Sequence, residues 1–268
     1  MIAQRSMLRL FCTALLALSL APTLHADDFS TALERGTLRV GVSLFTPWTL
    51  RDPDGELRGF EIDVARQLAG DMGLEPEFQV YEWDRIINAL LAGEIDVIAA
   101  GMGITPARAL QIAFSDPYSA SGVTLLVHTA NTESVSRLVD LDRADYTVAS
   151  VTDTLGDSVA GQVFEHAERR RFATSEEAEA ALRAGDIDAY VVSSPEARFL
   201  AFDHPDTLDI PLGEPLLVVQ AGFAVAPGEQ RLLNFLDAWI THQRASRWLE
   251  AVYERWFATT AWKNGNDS

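Results

Sequence analysis

The residues of this chain best suited to chemistry form one run, Ala99-Ala-Gly-Met-Gly-Ile-Thr-Pro-Ala-Arg108. An apolar strand ends there in Gly101 and Gly103. Thr105 as N-cap and Pro106 at the first helical position then open a short turn that carries Arg108. Glycines let a ligand approach the backbone closely, and free amides beside a guanidinium make a bidentate seat for a carboxylate. The competing reading of Arg108 is a surface ion pair with Asp84 or Glu82, an interaction of small energetic weight. A search for nucleophiles and metal ligands points away from catalysis. There is no Gly-x-Ser-x-Gly elbow and no His-Glu-x-x-His, and His128, His166, His204 and His242 lack metal-ligand spacing. The single cysteine, Cys12, lies in an N-terminal apolar segment, so neither thiol chemistry nor a disulfide is expected of the mature chain, and no cofactor or metal is expected.

The elements that must hold this seat alternate strand and helix. Residues 36–42 read as a strand, and 59–72 as a helix with Ile62, Ala65, Leu68 and Ala69 on one buried face and Gly73 as its stop. A strand at 77–81, a helix at 84–92 and a strand at 95–99 follow, which predicts a parallel sheet covered on both faces. One unit occurs twice, as Ala89-Leu-Leu-Ala-Gly-Glu-Ile-Asp-Val97 and, 92 positions later, Ala181-Leu-Arg-Ala-Gly-Asp-Ile-Asp-Ala189. Each copy is a helix end, a glycine stop and a buried strand, so two similar lobes are predicted, with Gly101 and Ser193 at equivalent strand ends across a cleft.

In the second lobe a strand at 146–151, a helix from about Gly156 and a strand at 187–192 are expected. Phe114-Ser-Asp-Pro-Tyr118 reads as a turn, and the apolar runs at 123–127 and 216–225 place two crossings, near 122–128 and 216–224, that form a hinge. Amphipathic helices at 229–241 and 245–257 close the chain. The expected division is a leader at 1–26, lobe 1 at 27–122 and 217–268, and lobe 2 at 123–216, with only 264–268 loose.

Arg5 and Arg9, the apolar run Leu10 to Leu20, Pro22 and Leu24-His25-Ala26 read as a secretory signal peptide. The mature protein is therefore expected to be exported and soluble. With 39 acidic against 21 basic residues, two of the latter in the leader, it is strongly anionic, which argues against nucleic acid and anionic membrane surfaces as partners.

Four segments in order, Gly59-Phe-Glu-Ile-Asp63, the Gly101 to Arg108 run, Phe114-Ser-Asp-Pro-Tyr118 and Leu249-Glu-Ala-Val-Tyr-Glu-Arg-Trp-Phe257, resemble the family 3 extracellular solute-binding proteins, receptors of polar amino acid ABC importers. The resemblance runs from about Leu38 to Phe257. It implies an α/β, two-lobed periplasmic binding protein fold of type II, each lobe a mainly parallel sheet flanked by helices, with two crossing hinge strands. It also implies a periplasmic monomer that delivers a small carboxylate-bearing solute, an amino acid or a derivative, to an inner-membrane ABC permease. On this pattern Arg108 clamps the ligand carboxylate, Gly101 and Gly103 help to hold it, and Phe45 and Trp83 sandwich the ligand side chain. Trp48 either lines the cleft or caps the sheet.

Three positions depart from the family pattern. Gly103 stands where a hydroxyl residue is usual. The loop Thr152-Asp-Thr-Leu155 replaces a Gly-Thr-Thr, offering Thr154 as a hydroxyl, while Asp153 either opposes a carboxylate or is an N-cap. Ser193 occupies the place of an aspartate that pairs with a ligand ammonium. Either the ligand has no free α-amino group, or another acid, Asp153 or Glu196, takes over. Two other readings share the scaffold: a cyclohexadienyl dehydratase-like lyase, with Glu61, Asp153 or Glu196 as its acid, and a ligand sensor for a membrane partner.

Overall fold

The structure, a computed structural model, describes residues 28–135, 137–259 and 262. The expected leader at 1–26 and the tail at 264–268 lie outside the described residues. The chain begins with α1 (Asp28–Arg35), β1 (Thr37–Val42), a small hairpin of β2 (Leu50–Arg51) and β3 (Leu57–Arg58), and α2 (Phe60–Met72). It continues through β4 (Glu75–Val80), α3 (Trp83–Leu91), β5 (Val97–Ile98), the single turn α4 (Pro106–Ala109) and the long β6 (Ala113–His128). Then come β7 (Thr147–Val151), α5 (Leu155–Val163), β8 (Glu168–Phe172), α6 (Ser175–Ala184), β9 (Ala189–Ser193), α7 (Ser194–Asp203) and β10 (Leu208–Asp209). The last elements are β11 (Leu217–Val225), α8 (Gln230–Ala245) and α9 (Trp248–Tyr253).

β1 lies between β4 and β5 and parallel to both, and β7 lies between β8 and β9 in the same way. The antiparallel strands β6 and β11 join these two sets into one sheet of order β4-β1-β5-β11-β6-β9-β7-β8, with β10 on β6. The repeated unit returns as α3–β5 and α6–β9, each copy on the inner side of its set beside a crossing strand. β6 changes partner at Val123, which pairs with Leu217 of β11 and with Ser193 of β9. That is where the crossing was expected.

The α/β, two-lobed fold follows from the apolar patterning. On α2, Ile62, Ala65, Leu68 and Ala69 are fully buried, and Gly73 ends the helix with a left-handed φ of 71°. Burying each long aliphatic side chain of this kind contributes about 1.5–3 kcal/mol. Both faces of the β4-β1-β5 set are covered, one by a cluster that includes Phe60, Leu68, Leu236 and Trp239, the other by Ile86, Leu90 and Ile95. The β9-β7-β8 set is covered likewise, by Val148, Val159 and Phe164 on one side and Leu182, Tyr190 and Leu200 on the other.

Two local expectations are corrected. Phe114 to Tyr118 is not a turn but part of the 16-residue β6. Pro117 has no N–H to give the ladder, and the strand absorbs this by register shifts opposite it, at Ala221/Gly222 and Gly222/Ala224, rather than by reversing. The helix expected over 245–257 starts only at Trp248, because Arg247 takes a left-handed φ of 62° and turns the chain first, and it ends in a wider turn at Glu254–Ala258. A further strand, β8, was not anticipated: its sequence Glu-Arg-Arg-Arg-Phe carries no apolar alternation, since it is a mostly exposed edge strand.

Candidate functional site

Arg108 is set by local sequence. Thr105 Oγ1 accepts a hydrogen bond from the Arg108 N–H at 3.3 Å, and Pro106 starts the turn, as the Thr-Pro-Ala-Arg order predicts. The ion-pair reading of this residue does not hold. Arg108 is 9% exposed, and its guanidinium donates only to carbonyls, Nη1 to Gly103 O at 3.0 Å and Nη2 to Asp153 O at 3.3 Å. Its Cζ also lies 5.2 Å from the centre of the Trp83 ring. Among the described residues no carboxylate forms a salt bridge with it. Burial lowers its pKa to about 10, so it remains a cation at neutral pH. A buried cation met only by dipoles is electrostatically incomplete, an arrangement able to accept an anion.

Eight of the nine residues expected at the site, Arg108, Gly101, Gly103, Phe45, Trp83, Trp48, Thr154 and Ser193, line one cavity between the two halves of the sheet. Trp48 does both things asked of it. Its ring packs on Phe257 at 4.6 Å and Phe60 at 5.7 Å, and its other side lines the cavity against Gly101. Gly101 has a φ of 60°, and a Cβ there would lie 3.0 Å from Trp48 Cε3, so both conformation and space call for glycine. At Gly103 a Cβ would lie 2.6 Å from Leu155 Cδ1 and 3.2 Å from Val219 Cγ2, so a larger residue here requires the Leu155 side chain to shift. Phe45 and Trp83 meet edge to face at 5.4 Å and form one aromatic wall.

The second lobe departs from expectation in two side chains. Thr154 is the N-cap of α5, accepting from the Asp157 N–H at 3.2 Å while its own hydroxyl proton goes to Val151 O at 2.7 Å, so the cap has taken the hydroxyl meant for a ligand. Asp153 is neither N-cap nor cleft acid. Its carboxylate, 64% exposed, pairs with Arg171 at 3.1 Å, and what it offers the cleft is its carbonyl, which accepts from Trp83 Nε1 at 3.1 Å as well as from Arg108. These bonds run from one lobe to the other, so the jaws are in contact. Ser193 lines the cavity and caps α7, its Oγ accepting from the Glu196 N–H at 3.4 Å.

Glu196 also lines the cavity and is only 3% exposed. The Ser175 hydroxyl donates to its Oε1, while Oε2 is buried without a hydrogen-bond partner. Burial pushes this carboxyl up to about 8. Glu61 is equally buried and pushed up to about 8, but it lies outside the cavity wall, accepting from Tyr118 Oη at 2.7 Å beside the Gly101 backbone. Leu155, Ser121 and Tyr190 also line the cavity and were not anticipated. For Tyr190 a signal existed, since the repeat aligns it with Ile98 and so puts an aromatic hydroxyl where the first copy is aliphatic. Among the described residues no cluster of histidine, cysteine and acidic side chains could hold a metal ion.

Known proteins resemble this chain over nearly the whole described length. The L-cystine-binding protein TcyJ of Escherichia coli (strain K12) is 30% identical over 234 residues, 86% of each chain. Among solved structures, the ancestral amino acid-binding protein AncCDT-1, a precursor of cyclohexadienyl dehydratase, superposes with a TM-score of 0.78 at 33% identity, covering 87% of this chain and 100% of that one. The arginine-bound, truncated form of ArgBP from T. maritima gives a TM-score of 0.73 at 32% identity, covering 80% of this chain and 99% of that one. The model of the bacterial extracellular solute-binding proteins, family 3, matches residues 38–259, which takes in both jaws of the cleft and both crossing strands, and the chain belongs to that family.

Proposed function

We propose that this protein is the substrate-binding component of an amino acid ABC importer, which captures a small carboxylate-bearing solute in the cleft and delivers it to an inner-membrane permease. The carrying observation is Arg108, a buried guanidinium facing the cavity and met only by carbonyl oxygens. The relatives named for cystine and arginine binding support an amino acid or close derivative as the solute. On this reading the leader at 1–26 directs the chain to the periplasm, where it works as a monomer, lobe 1 comprising 27–122 and 217–268 and lobe 2 comprising 123–216. The change of partner at Val123 supports that boundary. The ligand touches both lobes at once, so its binding energy favours the closed arrangement over the open one. No chemical step is required of the protein. Calorimetry on Arg108→Met with any bound amino acid is the test: a loss of about 2–5 kcal/mol is expected for a buried carboxylate, and unchanged affinity removes Arg108 from the site.

A second reading draws on Glu196, a buried carboxyl of raised pKa in the cleft, as the acid of a cyclohexadienyl dehydratase-like lyase. Release of an aromatic product from a cyclohexadienyl carboxylate would establish it; none is expected.

A further inference from the structure

One basic and one acidic side chain line this cavity, each from a different jaw. Of the described residues that line it, Arg108 is the one base and Glu196 the one acid. Arg108 comes from the turn after β5, and Glu196 from the first turn of α7, directly after β9. The other acids of the second jaw are turned elsewhere, Asp153 and Asp157 both to Arg171. Ser193, at the strand tip, is a neutral hydroxyl committed to capping α7. Glu196 thus has an acceptor atom, Oε2, that is buried and unpartnered.

We propose that Glu196 is the cation-recognising residue of the cleft, its Oε2 accepting a hydrogen bond from an ammonium or other cationic N–H of the solute in place of the acid absent at Ser193. This rests on the reading of Arg108 as the carboxylate seat, and it narrows the solute to a zwitterion: a carboxylate for one jaw and a cationic nitrogen for the other. A neutral serine cannot balance a buried ammonium, whereas a carboxylate reached from one helical turn further along can. Glu196 also lines an adjoining cavity, which shares Phe45 with the cleft.

The groups that face Glu196 are Ser175 and Glu179 of α6 and Tyr190 and Ser193 of β9, and the adjoining cavity adds Glu176, Asp203 and Arg51. With Glu179 repelling and burial dominating, the carboxyl is neutral at pH 7 when the cleft is empty. An arriving cation favours the carboxylate. The carboxyl proton leaves to solvent, and a charge-assisted hydrogen bond to the ligand nitrogen forms in its stead. Binding of a zwitterion therefore releases a proton below pH 8, and its affinity rises by up to about tenfold per pH unit until pH 8.

The experiment is calorimetry of the full-length mature protein against the protein amino acids and L-cystine, each paired with its deaminated analogue, in two buffers of different ionisation enthalpy. The wild type is expected to bind an amino acid at least tenfold more tightly than its analogue and to release close to one proton at pH 7. Glu196→Gln, isosteric with the neutral acid, is expected to melt as the wild type does at pH 6, to lose 30-fold or more for the amino acid, to release no proton, and to bind the analogue unchanged. Amino acid binding that needs Arg108 but survives Glu196→Gln overturns this proposal alone. A panel in which nothing binds, or in which Arg108→Met changes nothing, overturns the carboxylate seat and the proposal with it.

Discussion

In the first lobe the repeated unit ends at Gly101, in a left-handed backbone of φ 60° over which Trp48 is laid, and the chain travels on to Thr105 before it can start a helical turn. In the second lobe the equivalent position is Ser193, an N-cap, and α7 begins at once. The first jaw is therefore extended backbone bonded to β11 plus a guanidinium carried on a later turn, and the second is a helix start that brings an acid into the cavity. Two copies of one unit thus present a cation on one side and a titratable acid on the other. Strand ends fix where a site lies, and the way the chain leaves each strand decides what the site can bind.

The comparison can be broken from its strongest point downward. Arg108→Met should remove the first jaw's contribution, about 2–5 kcal/mol of binding, read by calorimetry. Next is pH. Glu61 beneath the first jaw and Glu196 in the second both have a pKa near 8 against an ordinary 4.5, raised by burial. An acid whose folded pKa is raised stabilises the fold only while protonated, so that stability is complete below about pH 4.5 and is lost as pH rises toward 8. The empty protein should lose on the order of 1 kcal/mol per pH unit per group between pH 6 and 8, seen as a falling melting temperature that Glu61→Gln or Glu196→Gln makes shallower. A flat profile would mean that neither jaw holds a neutral acid.

Gly101→Ala should cost about 1–2 kcal/mol of stability, since alanine dislikes a positive φ and its methyl meets the Trp48 ring. Ligand affinity should fall with it, because Trp48 lines the cavity. Asp153→Asn, with its carboxylate on the outer side, should change binding by less than about 0.5 kcal/mol. A larger loss would return Asp153 to the cleft and remove Glu196 from its place as the acid of the second jaw.

Much of the first jaw was legible because its parts are local. Thr105, Pro106 and Arg108 are cap, first turn and side chain within four residues, and Gly101 and Gly103 announce a close approach of backbone. The second jaw was less so, for reasons that can be named. Whether Thr154 offers its hydroxyl depends on whether α5 takes it as a cap, and whether Asp153 faces the cleft depends on Arg171, which sits on β8, a strand with no apolar pattern to reveal it. Phe114 to Tyr118 carried turn chemistry, yet pairing with β11 outweighed it, because a bulge accommodates a proline at less cost than reversing a strand in the centre of a sheet.

By itself the sequence determined the alternation of strand and helix, the doubling of the unit, two crossing strands and the placement of Arg108 on a capped turn, since all of these follow from periodicity, stops and caps within a few residues of one another. Only the tertiary structure decided that Arg108 is buried without a carboxylate, that Trp48 both packs and lines, and that Glu196 reaches the cavity with one oxygen free. Burial and hydrogen-bond satisfaction are properties of surroundings assembled from distant segments, and no local pattern records which of several neighbouring polar groups will be left without a partner.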